Sequence, residues 1–417
     1  MNTQLRAKAE KIAFHAINAV LPDAAVKKAL RDIKLSGRIV LVAVGKAAWQ
    51  MAKSAKEYLA DRIEAGIVIT KYHHIKGPIE GLQCMEAGHP VPDENTFQAT
   101  EEAIALVHGL TEKDTVLFLL SGGGSALFEK PLVSAAELQE ITTQLLACGA
   151  DIVEMNTIRK RLSAVKGGRF AKLCEPAQVY AVVLSDILGD PLDMIASGPV
   201  TVDSSTCGQA LAIIEKYQIK VSQEATACLS VETPKYINNV TAQITGSVKQ
   251  LCTAAAEKAQ ELGYKPFVLT DEMNCQAKEA GSFLASIVKS HVETSEPLAF
   301  IAGGETVVKL TGSGKGGRNQ ELALAAAAGL DGLKNAAVIS VGSDGTDGPT
   351  DAAGGYADGD TVASLQEKGF SVYQTLTDND AYHALKVVDG LIITGPTGTN
   401  VNDVAIVLID PRCECKY

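Results

Sequence analysis

Two glycine-rich segments carry the residue types best suited to binding an anion. The first follows six apolar or β-branched residues, 115–120, which predict a buried parallel strand. Three glycines then permit a sharp turn that brings backbone N–H groups close to a ligand, although a loop that only needs glycine dihedrals is the alternative. Because open α/β sheets bind ligands at the carboxyl ends of their strands, we expect an anion to contact this turn. The expected binding residues are Ser121, Gly122, Gly123, Gly124 and Ser125.

The second segment, residues 312–318, reads Gly-Ser-Gly-Lys-Gly-Gly-Arg and precedes a predicted helix. Its glycines fit the Gly-x-Gly-x-x-Gly pattern of nicotinamide sites, but the acidic residue expected about twenty positions later has no convincing candidate. We therefore predict that backbone N–H groups here hold phosphate, with Lys315 and Arg318 as cations.

Lys46 follows a predicted strand, 39–44, and a single glycine, and it is expected in the first turn of a helix. A lysine at that position opposes the helix dipole, which favours an anion-binding role over a solvated surface lysine. The segment lacks the glycine and the Ser/Thr of a P-loop, so it is not a Walker lysine.

A basic stripe is expected on the second part of a helical pattern that covers residues 135–173. Asn156, Arg159 or Lys160, Ser163 and Lys166 fall on one face at helical spacing. The stripe predicts either the lining of an anion site or a solvated helix face.

Carboxylates follow two further predicted strands. Asp186 and Asp190 come after the strand 179–184, and Asp344 and Asp347 come after the strand 336–341. They are candidates for Mg²⁺ ligation or for accepting a hydroxyl proton, and ordinary turn chemistry is the alternative.

His89 lies in a turn-rich segment, where both a structural and a catalytic role are open.

The composition excludes several classes of protein. The 417 residues carry a formal net charge of −11 with no charged tail, which argues against nucleic acid or an anionic membrane as a partner. The nine cysteines are scattered, and Cys413 and Cys415 lack the spacing of a zinc site, so we expect reduced thiols and a cytoplasmic protein. The first 21 residues form an amphipathic helical pattern, unlike a signal peptide.

The order of elements indicates the fold class. Strands and helices alternate from the amino terminus, which predicts a large Rossmann-like, doubly wound parallel sheet. The apolar periodicity weakens between residues 219 and 234, so we place a domain boundary there. The expected domains are residues 1–232 and a smaller α/β domain, 233–417, whose first strand is residues 239–245.

Taken together, these motifs resemble the glycerate 2-kinase family, whose smaller carboxyl-terminal domain is described as leucine-rich. The resemblance covers nearly the whole chain in order. Its motifs are residues 120–126, 156–169, 185–191, 197–199, 303–306, 316–321, 343–348 and 394–400.

The resemblance implies ATP-dependent phosphorylation of the 2-hydroxyl of D-glycerate, giving 2-phosphoglycerate and ADP, with Mg²⁺ and an active site in the cleft between two domains. It implies catalytic roles for Lys46 and Arg318, and we expect these cations to close on the γ-phosphate. Besides the glycine turn, the expected binding residues are Asn156, Arg159, Lys166, Glu305, Gly316, Gly317 and Asn319.

Two other functions stay open at this point. One is an NAD(P)H-dependent hydroxypyruvate reductase, a name that members of the family have often carried. The other is a non-catalytic protein that binds a nucleotide or a sugar acid. The oligomeric state is also open, with a homodimer among the alternatives.

Overall fold

The computed structural model of the chain describes residues 1–31, 33 and 35–413. Within these residues, twelve strands form two six-stranded sheets. The strands are β1 (Ile39–Val44), β2 (Ile63–Lys71), β3 (Leu82–Ala87), β4 (Thr115–Leu120), β5 (Gln178–Leu184), β6 (Val240–Gly246), β7 (Lys265–Met273), β8 (Leu298–Gly304), β9 (Ala336–Gly342), β10 (Gly354–Asp358), β11 (Leu391–Ile392) and β12 (Asp403–Ile409).

The α-helices of the same residues form the amino-terminal end and most of the connections between strands. They are α1 (Thr3–Ala19), α2 (Pro22–Arg31), α3 (Ala48–Leu59), α4 (Glu94–Val107), α5 (Gly124–Leu127), α6 (Ala135–Ala147), α7 (Ile152–Arg161), α8 (Arg169–Leu173), α9 (Cys207–Tyr217), α10 (Gln223–Leu229), α11 (Val248–Glu261), α12 (Ala277–His291), α13 (Arg318–Leu330), α14 (Thr361–Glu367), α15 (Val372–Thr377) and α16 (Ala381–Val387).

The first sheet has the strand order β3-β2-β1-β4-β5-β6, and β1 to β5 pair in parallel with their neighbours. Both faces are covered, because alternate residues of β1 point into two different apolar cores. Val40 and Val42 belong to one core, and Ile39 and Leu41 to the other. The expected doubly wound parallel sheet is confirmed.

The carboxyl ends of the central strands lie side by side in this sheet. Val44 at the end of β1 is in register with Leu120 at the end of β4, and Leu120 with Val183 near the end of β5. The turns after these strands therefore meet at one edge of the sheet, where ligands of open α/β sheets bind.

The second sheet is mixed, with the order β11-β10-β9-β12-β8-β7. Only β7 and β8 pair in parallel among its described pairs, and β12 runs antiparallel to both β8 and β9. Asp403, the first residue of β12, is consequently in register with Gly304 and with Gly342, the last residues of β8 and β9. The loops after β8 and β9 and the loop before β12 share one edge.

The chain divides into two compact units, which we name the parallel-sheet unit (Ala25–Thr245) and the mixed-sheet unit (Met1–Ala24 with Gly246–Tyr417). These bounds differ from the expected domains at both ends. Helix α1 packs on α11 and β9 through a buried apolar face, so it joins the mixed-sheet unit. Strand β6 was expected in the second domain but lies in the first sheet, where the N–H of Val179 donates to the carbonyl of Asn239 at 2.7 Å.

The helical pattern over residues 135–173 is interrupted. It forms α6, α7 and α8, and the breaks contain Gly149, Gly167 and Gly168 at positive φ values of 75°, 57° and 83°. Glycine adopts these angles without the steric penalty of a Cβ atom. Helix α7 ends at Arg161, so Ser163 and Lys166 lie beyond the helix that carries Asn156 and Arg159. Of the helices in the described part of the chain, none is long and apolar enough to cross a membrane.

Candidate active site

The first glycine turn, which we define as residues 121–125, is joined directly to the turn after β1. The N–H of Ser121 donates to the carbonyl of Val44 at 2.9 Å, and its Oγ accepts from the N–H of Ala47 at 3.0 Å. The N–H of Lys46 donates to the carbonyl of Gly122 at 2.9 Å. The Ser121 hydroxyl therefore helps to hold the two turns together, and its expected contact with a ligand stays a prediction.

The remaining N–H groups of the first glycine turn are available to a ligand. In the described part of the chain, the N–H groups of residues 122–125 have no hydrogen-bond acceptor. Gly123 has a φ of 87°, and short helix α5 begins directly after it. Unpaired backbone donors are rare in folded proteins, and consecutive ones form concave sites for anions.

Lys46 supplies a cation at this turn. It lies in the turn ahead of α3 rather than in the expected first helical turn, because the helix begins only at Ala48. No carboxylate pairs with its ammonium among the residues that the structure describes. A Cβ atom on Gly123 would lie 3.3 Å from Cε of Lys46, so the lysine side chain passes directly over the glycine turn.

His89 approaches the same glycine. The Cβ position of Gly123 would be 3.0 Å from Cδ2 and 3.1 Å from Nε2 of the imidazole. Burial lowers the pKa of His89, and the charges of Lys46, Lys71 and His74 lower it further. Its ring nitrogens have no hydrogen-bond partner within the described residues.

Ser125 is linked to buried polar groups behind the turn. Its Oγ lies 3.2 Å from Oγ of Ser197, which donates to Oδ1 of Asn156 at 2.8 Å. Asn156 and Ser197 are buried. Asn156 lies behind Ser125, where it orients Ser197 and through it the Ser125 hydroxyl, and its expected contact with a ligand stays a prediction. Nη2 of Arg159 lies 3.4 Å from the carbonyl of Ser125.

Lys166 does not reach the surface. It is 0% exposed and forms an ion pair with the buried Glu129, and its ammonium also donates to the carbonyl of Phe128 at 2.9 Å. Burial lowers the pKa of Lys166 to about 8, against the opposing effect of Glu129. The expected contact between Lys166 and an anionic ligand is replaced in the structure by a buried pair that supports the chain after α5.

Of the acidic candidates in the parallel-sheet unit, Asp186 lies close to the first glycine turn. A Cβ atom on Gly122 would be 2.2 Å from Oδ2 of Asp186, so this carboxylate lies against the turn. Asp190 has a left-handed backbone with φ at 53°, and its buried Oδ1 has no hydrogen-bond partner in the part of the chain that is described.

Arg318 is the centre of a charged cluster in the mixed-sheet unit. It begins α13, and its guanidinium donates to both carboxylate oxygens of Asp403, at 2.5 Å from Nε and 3.0 Å from Nη2. Nη1 donates to Oε1 of Glu305 at 3.0 Å. Burial would lower the pKa of Arg318, but its hydrogen bonds to Asp403 and the charges of Asp403 and Glu305 outweigh that effect and raise the pKa.

Asp347 is buried at the amino terminus of α13. Its oxygens accept from the N–H groups of Asn319 and Gln320 at 3.2 and 2.9 Å, and from the side-chain amide of Gln320 at 3.1 Å. Burial raises the pKa of Asp347 to about 6, although these donors oppose the change. Both oxygens are thus used to cap the helix, a structural role in place of the expected metal ligation. Asn319 is buried too, and its Oδ1 accepts from Ser340 at 2.6 Å.

Asp344 lies at the other side of the same loop. Its Oδ1 accepts from the N–H of Thr346 at 2.9 Å, which is a local turn bond. A Cβ atom on Gly342 would be 3.3 Å from this oxygen and 3.4 Å from Oδ1 of Asp403, so the two carboxylates flank the end of β9.

The second glycine loop, which we define as residues 311–317, is held by the segment 378–380. Oδ1 of Asn379 accepts from the N–H groups of Thr311 and Gly312 at 2.7 and 3.0 Å. The N–H groups of Ser313 and Gly314 donate to Asp378, and that of Lys315 to Asp380 at 2.9 Å. Most of the donors that were expected to hold phosphate are therefore used within the protein, and in the described residues only Gly316 and Gly317 of residues 312–317 keep an N–H without an acceptor.

Several partners of these residues were missed by reasoning from the sequence. Asp403 and Glu129 were not expected to pair with Arg318 and Lys166, from which they are separated by 85 and 37 positions. The sequence around a carboxylate at the start of a predicted strand does not indicate which basic residue it pairs with. The segment 378–380 reads Asp-Asn-Asp, which indicates a turn but not the loop that it binds.

The residues present fit Mg²⁺ in one specific way. No group of three or more His, Cys, Asp or Glu side chains in the described residues could hold a metal ion by itself. Mg²⁺ usually keeps several waters and binds one or two carboxylates together with substrate phosphates. The unpartnered Oδ1 of Asp190 and the neighbouring Asp186 match that smaller requirement.

Family comparisons cover most of the chain. Residues 8–230 match a family described as a domain of unknown function, DUF4147, and residues 298–403 match the MOFRL family. A protein of Agrobacterium vitis with a provisional hydroxypyruvate reductase name is 38% identical, over 89% of this chain and 87% of that protein.

A protein and a crystal structure, both named as glycerate kinases, have a higher sequence identity to this chain. A D-glycerate 2-kinase of Thermotoga maritima is 53% identical over 411 residues, which are 97% of this chain and 98% of that protein. The crystal structure of a glycerate kinase from Thermotoga maritima matches with a TM-score of 0.95 and 52% identity, over 97% of this chain and 99% of that one. The chain therefore belongs to the glycerate 2-kinase family.

Proposed function

We propose that this protein transfers the γ-phosphoryl group of ATP to the 2-hydroxyl of D-glycerate and releases 2-phosphoglycerate and ADP. The observation that carries the proposal is the 53% identity to a D-glycerate 2-kinase along 97% of the chain. Both substrates are anionic, and the net charge of −11 repels them, so local cations and N–H donors must bind them.

The first glycine turn is the group best suited to that task in the parallel-sheet unit. Its free N–H groups and the unpaired ammonium of Lys46 converge at the carboxyl edge of the parallel sheet. We propose that they bind either the terminal phosphates of ATP or the glycerate carboxylate. Preorganised donors of this kind stabilise charge without reorganising during the reaction.

Phosphoryl transfer proceeds through a loose transition state, so the protein contributes mainly position and charge stabilisation. We propose that Lys46 and Arg318 are both catalytic residues. The Arg318–Glu305 pair is partly exposed, with side-chain exposures of 33% and 47%, and such pairs contribute little stability. A phosphate oxygen can therefore replace Glu305 at Nη1, while the buried Asp403 keeps the guanidinium in place.

Mg²⁺ belongs to the proposal as well. Bound with ATP, the ion would neutralise the charge that develops on the phosphate oxygens. Asp186 and Asp190 are the residues that we propose to hold it, because Asp347 caps α13 and Asp344 makes a local turn bond.

An Asp190→Asn variant is expected to need more Mg²⁺ for half-maximal turnover, whereas an unchanged Mg²⁺ requirement would remove Asp190 from the proposal.

Phosphorus NMR of the purified protein with Mg-ATP and D-glycerate tests the function directly. A 2-phosphoglycerate signal supports both the kinase and the position of transfer. A 3-phosphoglycerate signal would retain the kinase but contradict the assigned hydroxyl. Unchanged ATP with a folded protein would contradict the kinase, and consumption of NADH with hydroxypyruvate would then favour the reductase.

The second glycine loop argues against the reductase. A nicotinamide dinucleotide needs free backbone donors where its pyrophosphate binds. Those of Thr311 to Lys315 are already bonded to the segment 378–380. The Gly-x-Gly-x-x-Gly resemblance is therefore explained by the close approach of this segment: a Cβ atom on Gly312 or Gly314 would lie 2.3 or 2.5 Å from it.

A cytoplasmic location and a homodimer stay proposals. Free thiols fit a reducing compartment, and the cysteines whose state the structure describes, seven in number, are all free. Size-exclusion chromatography with light scattering would decide between monomer and dimer.

A further inference from the structure

His89 is placed at the first glycine turn by specific geometry. The ring edge formed by Cδ2 and Nε2 faces Gly123, and the space that a side chain at Gly123 would fill is occupied by this edge and by the stem of Lys46. Gly123 is thus required twice, for its φ of 87° and for the close approach of the imidazole. The Nε2 edge of the ring lies next to the free N–H groups of residues 122–125.

The ring nitrogens are not used by the protein itself. His89 is half-buried, and within the described residues neither nitrogen has a hydrogen-bond partner. A structural histidine would be expected to donate or accept at least one hydrogen bond at such a position. His74, by comparison, is 3.0 Å from the carbonyl of Lys46 through Nδ1.

Burial and the charged groups around His89 favour the neutral form of its imidazole. Burial is the largest influence on its pKa, followed by Lys46 from the turn after β1, Lys71 at the end of β2 and His74 from the next turn; all lower the pKa. Two carboxylates lie near this region: Asp93 accepts from the N–H of Gly88, the residue before His89, and Asp186 lies against Gly122. A neutral imidazole can accept a proton, whereas an imidazolium cannot.

We propose that His89 is the general base of the reaction and accepts the proton of the glycerate 2-hydroxyl at Nε2. The proposal rests on the function proposed above. The O–H bond of the acceptor hydroxyl breaks as its oxygen forms a bond to the γ-phosphorus. The bond from that phosphorus to the β–γ bridging oxygen breaks, and its electron pair leaves with ADP. The proton on His89 passes to water after product release.

The position explains why a histidine suits this step better than a carboxylate. Lys46 beside the ring favours anionic ligands and disfavours a proton on His89 before the substrates bind. The transferred proton then resides next to the dianionic phosphate of the product, which stabilises the imidazolium. Asp186 can bind Mg²⁺ while His89 accepts the proton, so the carboxylate need not do both.

Steady-state kinetics of His89→Asn test the proposal against a matched control, His108→Asn. His108 is exposed at the end of α4 in the same unit and lies outside the site. We expect His89→Asn to lower kcat by about 100-fold, near the lower end of what a general base contributes, with little change in KM for ATP or glycerate. His108→Asn should behave as the wild type.

The pH profile separates a base from a structural residue. Because the pKa of His89 is lowered, kcat/KM of the wild type should fall only at acid pH, below the ordinary histidine range, and this acid limb should disappear in His89→Asn. Imidazole added to a His89→Gly variant should restore part of kcat. Circular dichroism and nucleotide binding by calorimetry verify that both variants fold.

Three outcomes would overturn the assignment. They are a kcat close to the wild-type value, an acid limb that persists in His89→Asn, or a large rise in KM at unchanged kcat, which would make His89 a ligand contact. Failure of the proposed function is recognised separately, because the wild type would then give no phosphoglycerate by phosphorus NMR.

Discussion

Replacement of Arg318 by alanine should affect stability and turnover by separable mechanisms. Arg318 is the partner of Asp403, a carboxylate whose side chain is 4% exposed and whose two oxygens both accept from the guanidinium. Arg318→Ala therefore removes a proposed catalytic cation and also leaves a buried carboxylate unpaired. We expect the variant to lose both turnover and stability.

The cost follows from burial. Breaking a fully buried ion pair by removing one partner costs about 3–5 kcal/mol. The Arg318 side chain is 33% exposed, so water reaches part of the pair, and we expect about 2–3 kcal/mol of unfolding free energy to be lost. Burial already raises the pKa of Asp403 against the opposing effect of Arg318, and the variant removes that opposition.

The pH dependence of this loss has a definite sign. A carboxyl group whose pKa is raised in the folded state binds more protons when folded than when unfolded, so its contribution to stability is present at low pH and is lost as the pH rises through the folded pKa. The stability deficit of Arg318→Ala should therefore be larger at neutral pH than at acid pH. Urea unfolding at both pH values measures it.

A double variant separates the two effects. In Arg318→Ala with Asp403→Asn, the amide needs no counter-charge, so most of the lost stability should return. Turnover should not return, because an arginine that stabilises a transferring phosphoryl group contributes about 10³-fold or more. Equal stability of the single and double variants would refute the reasoning about Asp403, and recovery of turnover in the double variant would refute the catalytic role of Arg318.

Three further changes have expected outcomes. Gly123→Ala should lower the unfolding free energy by about 1–2 kcal/mol, because its backbone is left-handed, and should lower kcat by crowding the neighbouring side chains. The control, Gly109→Ala, has a φ of 75° and open space around it, so it should lose stability but keep its kcat. Urea unfolding and steady-state kinetics compare the two variants. Lys166→Met should lower the unfolding free energy by about 3–5 kcal/mol, because it leaves Glu129 buried and unpaired. Adding Glu129→Gln to this variant should restore much of the thermal stability, and an unchanged melting temperature would contradict the prediction. Asn379→Ala should speed amide hydrogen exchange at the two N–H groups that it accepts from, and unchanged protection would show that they are held otherwise.

The parallel sheet was predictable because its signals are local. Strands β1 and β4 are short apolar runs followed directly by glycine turns, and the structure gives them the expected bounds, Ile39–Val44 and Thr115–Leu120. A strand buried on both faces needs no alternation, so an uninterrupted apolar run identifies it. Because β1 and β4 are parallel neighbours, Lys46 after β1 and Gly122 after β4 lie next to each other.

Long-range pairing was not predictable in the same way. Strand β6 lies after the weak periodicity of residues 219–234, so the sequence pattern assigns it to the second domain, yet its pairing with β5 places it in the first sheet. Helix α1 precedes that sheet but packs in the mixed-sheet unit. The basic stripe failed because α7 ends at Arg161, ahead of Lys166, so Lys166 does not continue the helical face that carries Asn156.

The contrast between the two glycine segments shows what decides an anion site. Both have the composition of a phosphate cradle, and the second has more basic residues. The segment 378–380 supplies the second loop with carboxylate and amide oxygens, so this loop binds an internal acceptor where a phosphate would otherwise bind. The first turn has no such acceptor among the described residues, and Lys46 is left unpaired beside it. Because folded chains satisfy nearly all of their buried N–H groups, donors left free next to an unpaired cation indicate a ligand more strongly than glycine spacing does.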